Sequence, residues 1–172
     1  MKNLRVVVAL VVLSSLLAQT QRPAGQSGAG GSAFDKLKSL AGDWEEKTNE
    51  GGQETPMTTS FRLVSDGSAV MNVLAAGTPH EMITMFHMDG RDLLTTHYCA
   101  AHNQPRFHLV PASEPNVVAF DFKDATNLAS PTAPHMVGVK LTLLDLNHHL
   151  EDWTFLANGQ TSIKRFDFRG KQ

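Results

Sequence analysis

Apolar and polar positions change rhythm once along this chain. Phe34, Leu37 and Leu40 recur at helical spacing, with Ser32 placed to cap the turn before them and Gly42 placed to end it. Beyond Gly42 the period becomes two, the repeat of a strand with one buried face. Runs of this kind cover 43–48, 57–65, 69–75, 81–88, 93–99, 106–110, 117–122, 136–145, 149–157 and 160–168. Asp66-Gly67, Asp89-Gly90 and Asn158-Gly159 separate neighbouring runs with hairpin chemistry. Pro111, Pro115, Pro131 and Pro134 fall in longer connections, where a missing N–H costs nothing. Sequential antiparallel strands with short turns point to an all-β fold. An up-and-down antiparallel barrel of about ten strands is favoured over a sandwich, because closure removes the edges. The short N-terminal helix can close one end.

The first residues belong to a different kind of segment. Lys2 and Arg5 precede an apolar run from Val6 to Ala18, the layout of a secretory signal and too short for a comfortable membrane span. Residues 1–20 are therefore expected to be a signal peptide, cleaved after Ala18 or Thr20. Residues 21–32, rich in Gly, Ser, Gln and Pro, read as a flexible linker, and the barrel domain occupies 33–172. The style of the signal suggests export to a bacterial periplasm or exterior, with no transmembrane segment left after its removal. At 172 residues, 41% of them hydrophobic, the chain can bury one real core. A net charge of −2 leaves no electrostatic footprint for nucleic acid. Cys99 is the one cysteine, so no intramolecular disulfide can form, and a thiol in an oxidising compartment is best buried. Nothing in the sequence sets the oligomeric state.

Two groups of residues carry a resemblance. "LAGDW", with Gly42 and Trp44 entering the first strand after a short helix, resembles the Gly-x-Trp opening of lipocalins and related calycin barrels, including nitrobindin-like and fatty-acid-binding proteins. Glu151, Trp153, Gly159, Lys164, Phe166 and Phe168 are similar to the late E-x-W, turn glycine and closing K-x-F-x-F strand of small exported bacterial proteins of unknown function. The likeness in layout runs over 33–169 and implies a calycin-like barrel. It also implies that Trp44 packs at the closed end against a late basic residue, Arg169 first and Arg165 second.

Register assigns the faces. A two-residue Asn158-Gly159 turn pairs Ala157 with Gln160, which puts His149, Glu151, Trp153, Phe155, Ser162, Lys164, Phe166 and Phe168 on one face. Its aromatic content makes this the expected interior, with Glu151 and Lys164 as diagonal neighbours. In the hairpin around Asp89-Gly90 either parity brings a histidine inside: His97 with Cys99, or His87 with Tyr98. His97 is preferred because its strand runs into the unusual stretch "TTHYCAAHNQPRF", residues 95–107. There His102, Asn103 and Gln104 would occupy a loop at the rim, with Arg106 beyond Pro105. Asn103 and Gln104 could equally bond the loop backbone, and Arg106 could hold a carboxylate.

The expected function is binding of a small molecule in a polar and aromatic cavity, with His97, Tyr98, His102, Arg106, His149, Glu151, Trp153 and Lys164 as candidate contacts. Lys164 and Arg106 would suit an anionic group. One alternative is a small enzyme using a His/Glu acid–base pair, although no nucleophile elbow, phosphate loop or dinucleotide fingerprint is present. Another is a barrel that holds haem, as nitrobindin-like barrels do through one histidine, or a transition metal at His97, Cys99 and His102 or at the methionines of 82–88. No cofactor is the leading expectation. A third class is an envelope-associated interaction protein, favoured if side chains fill the interior.

Overall fold

The computed structural model describes residues 28–50 and 53–171, with the backbone alone for 47–50 and 53–56. The expected export signal, and the linker up to residue 27, lie outside the described residues. One helix, α1 (Ala29–Ser39), precedes ten strands: β1 (Gly42–Glu50), β2 (Gln53–Val64), β3 (Ala69–Leu74), β4 (Met82–Asp89), β5 (Asp92–Tyr98), β6 (Gln104–Val110), β7 (Val117–Thr126), β8 (His135–Asp145), β9 (His148–Ala157) and β10 (Gln160–Gly170). Each strand pairs antiparallel with its sequence neighbours, and β10 returns to β1 to close the barrel. Every strand expected from the two-residue period is present, with ends displaced by a few residues.

The helix differs in its start. It begins at Ala29 rather than beyond Ser32, its N-cap is Gly28, and no side chain caps it. Residues 29–32 of the expected linker are therefore helical. Gly30 explains why: a Cβ there would lie 2.3 Å from the Arg91 carbonyl oxygen. The glycine lets α1 press on the β4–β5 turn, which offsets its poor helix propensity. Phe34, Leu37 and Leu40 are buried as the helical spacing predicts.

In an up-and-down barrel the turns alternate between ends. The helix therefore covers the end carrying the start of β1 and the β4–β5 turn, and the β5–β6, β7–β8 and β9–β10 connections share the far end. Ala157 pairs with Gln160 around Asn158 and Gly159, whose φ values of +52° and +75° fit the expected two-residue turn. In the β4–β5 hairpin Asp89 pairs with Asp92, so the loop is Gly90-Arg91 and the expected face parity holds. Asp66-Gly67 lies within a four-residue loop between the paired Val64 and Ala69. The closing seam is short, with Trp44 opposite Gly170 and Glu45 opposite Arg169. No described helix is long and apolar enough to cross a membrane.

Candidate functional site

The aromatic face of β9 and β10 does point inward: Trp153, Phe166 and Phe168 are buried in the main core cluster. On the β4–β5 hairpin the inward set is that of His97. Thr84 pairs with His97, Phe86 with Thr95 and Met88 with Leu93, and His97 is 0% exposed.

Two of the interior's polar groups contain sequence candidates; a separate buried pair joins Asn72 Nδ2 to Thr59 Oγ1 at 2.6 Å. At the helix end, His149 Nε2 lies 3.1 Å from Glu151 Oε1, and Trp153 Nε1 donates to Glu151 Oε2 at 2.9 Å. The first contact is a hydrogen bond when the shared proton sits on Nε2 of His149 or on the Glu151 carboxyl. The His149 ring meets Trp44 edge-on at 4.4 Å and lies 5.4 Å from Phe168. This corrects the expected partner of Trp44. Arg169 and Arg165 are exposed on the outer face, beside Asp167 and Asp152 respectively, and His149 takes the basic position. Trp44 Nε1 donates instead to the Leu40 carbonyl oxygen at 2.9 Å, tying the helix C-terminus to β1.

The second group lies toward the far end. His97 Nδ1 is 2.9 Å from Thr84 Oγ1, and its ring centroid is 4.8 Å from that of Trp153. His97 Nε2 is buried without a hydrogen-bond partner, as is Thr95 Oγ1 one inward position away on the same strand. Burial pushes the His97 imidazole pKa down to about 4, so the ring is neutral near pH 7. Beyond His97 the next inward position is Cys99, which is half-buried, and burial raises its thiol pKa. The partly buried Met57, Met82 and Met136 pack onto the core.

The remaining sequence candidates are spread over the surface. Tyr98 is 49% exposed on the outer wall, because successive residues of one strand cannot share a face. Arg106 is exposed and outward, and its guanidinium grips Asp124 at 2.5 and 2.8 Å. His102 sits in an exposed turn at φ +63°, its carbonyl oxygen accepting from Asn127 Nδ2. Asn103 Nδ2 donates to the Pro134 carbonyl oxygen at 2.8 Å, and Gln104 Oε1 accepts from Thr126 Oγ1 at 2.7 Å. Asn103, with the Asn127–His102 contact, therefore staples the β5–β6 loop to the β7–β8 connection, whereas Gln104 bonds across the β6–β7 strand pair. Lys164 keeps its place in the inward row opposite Trp153 but is exposed, its Nζ 5.7 Å from the Phe166 ring centroid.

One group escaped the sequence reading. Glu46 Oε1 accepts the Asp167 N–H at 2.7 Å, while its Oε2 is buried without a partner. Burial raises its pKa, opposed by that hydrogen bond and by Lys164. Its alternation with Trp44 was the available signal. A groove of 970 Å³ lies at the helix end among α1, β5, β6 and β7, and none of the sequence candidates lines it.

The crystal structure of Rv2717c from M. tuberculosis is similar to this chain, with a TM-score of 0.47 and 13% identity over 81% of this chain and 98% of that one. No protein-family profile matches the chain, and no curated protein matches it in sequence.

Proposed function

We propose that this chain is an exported, calycin-like barrel that binds a small ligand in its far half, through His97. The unpartnered Nε2 of His97 carries this reading. A buried polar atom left without a partner costs roughly 1–3 kcal/mol, and a bound ligand would remove that cost. Thr84 fixes the ring from the other side, as an outer hydrogen bond orients a ligating imidazole. The ligand would enter between the far-end loops, displacing the methionines there, whose unbranched side chains repack readily.

The packing around His97 favours a ligand smaller than haem. The ring is wholly buried, and Trp153, itself 2% exposed, stands 4.8 Å away, so side chains already fill the space a porphyrin would need. The His149–Glu151 pair is sealed beneath Trp44 and supports a structural role better than acid–base catalysis. Native mass spectrometry of the full chain, purified gently from its host, tests the proposal. A stoichiometric extra mass that disappears in His97→Ala and persists in Arg106→Ala is the expected result. Bare protein under conditions that preserve weak complexes would refute it.

A further inference from the structure

We infer that the far half of the barrel holds one monovalent copper ion between the sulfur atoms of Met82 and Cys99 and Nε2 of His97. This rests on the proposed role of His97 and names the ligand class. Three positions converge by register. Ile83 pairs with Tyr98 and Thr84 with His97, where the pairing ends; carrying that register one step toward the far end sets Met82 opposite Cys99, which opens the β5–β6 turn by donating to the Asn103 carbonyl oxygen. Side chains directly opposite one another on a sheet face have Cβ atoms about 5 Å apart. His97 and Cys99 are two residues apart on one strand face, roughly 7 Å, a span that two ligands of one ion can bridge. A fully buried, unpartnered imidazole nitrogen thus stands one inward step below a half-buried thiol and a thioether.

The donor types select the ion. Among the described residues no three His, Cys, Asp or Glu side chains converge, so the set zinc requires is missing. Adding the thioether completes a soft three-donor set, which suits Cu(I). An ion also needs no water-sized void beside His97, whereas an organic ligand does. Binding replaces the S–H bond of Cys99 with a Cu–S bond and releases the proton to solvent, with no change of oxidation state.

The test is an anaerobic titration of the full chain with Cu(I) against a chromophoric Cu(I) chelator. One equivalent per chain withheld from the chelator is expected. Met82→Leu and Cys99→Ser should each weaken retention by roughly tenfold or more, since loss of a mere outer-shell partner already costs that much. X-ray absorption of the loaded wild-type chain should find two sulfur and one nitrogen neighbours at copper, a readout independent of how the variants fold. Complete stripping of copper from the wild type overturns the inference, as does equal retention by both variants or a sulfur-free copper environment. An organic adduct that depends on His97, in a chain that retains no copper, would sink the copper site and leave the binding proposal standing. A chain that holds neither would sink both.

Discussion

His97 concentrates the chemistry of this barrel in one side chain. Its burial keeps the imidazole neutral, with a pKa of about 4 against 6.5 in an unfolded chain. The unfolded chain therefore takes up a proton first on acidification. The stability tied to a neutral His97 is complete above pH 6.5 and is lost as the pH falls toward about 4, a change on the order of 3 kcal/mol. Denaturant titrations at pH 7 and pH 5 should show about 2 kcal/mol of this loss in the wild type and a flatter profile in His97→Gln. Glu151 poses a different risk, because its carboxylate serves both His149 and Trp153. Glu151→Leu strands two buried polar groups and should cost about 3–5 kcal/mol, read as a fall in the denaturation midpoint. Glu151→Gln, which keeps an acceptor, should cost less. That Glu151 points inward was legible from alternation, whereas both faces of the 81–99 hairpin are apolar and only the tertiary structure decided that His97, with Thr84 as its partner, lies inside. The His149–Glu151 neighbourhood follows from spacing along β9, whereas Thr84 required the exact register of another hairpin.

At the scale of elements, α1 and the outer sheet face show two kinds of constraint. Gly30 is where helix and β4–β5 turn touch, and Gly30→Ala would drive a methyl group against the Arg91 carbonyl oxygen. The expected cost is about 2 kcal/mol, with α1 displaced from the turn and faster amide exchange in 29–39. Composition alone made 29–32 look like linker, since glycine is a poor helix former and its packing contact is non-local. On the outer face Asp152 joins three strands, held by Arg165 at 2.6 Å and by Lys140 at 3.2 Å. The hydrogen bonds from Arg165, then those from Lys140, hold its carboxyl below the ordinary value of 3.8. Its contribution is present above that value and lost as the pH falls through the lower folded pKa. Since both partners are half exposed, Asp152→Asn should cost only about 1 kcal/mol at neutral pH, with the difference vanishing in strong acid.

Across the whole molecule, sidedness separates the sequence candidates. His97, His149, Glu151 and Trp153 are interior, and Lys164 marks the rim of the same inward row. Tyr98 and Arg106 belong to the outer wall, and His102 to an exposed loop. Ligand retention should accordingly survive Tyr98→Phe and Arg106→Ala and weaken in Lys164→Met, with melting temperatures separating binding from folding effects. Among the described residues β1 and β10 share two residue pairs, extended by the Lys171 N–H on the Asp43 carbonyl oxygen and by Glu46, which accepts the Asp167 N–H. Such a seam has no local signature, because strands at opposite ends of the chain make it.

Short-range order was determined by the sequence itself. A period of two gave ten strands, Asn158-Gly159 set one register, and the resulting parity chose an aromatic interior with His149, Glu151 and Trp153 in it. Those inferences depend on residues a few positions apart, where side-chain alternation and turn geometry leave few options. Tertiary structure decided what crosses the barrel. It set His149 rather than a late arginine against Trp44, and the Trp153 ring against His97. It also turned Arg106 to the outer wall, Asn103 to the loop staple and Gln104 to a bond across the β6–β7 pair. The two ring contacts join strands that are not neighbours in the sheet, which barrel closure brings together, while the others join paired strands or loops whose exact register only the folded chain fixes.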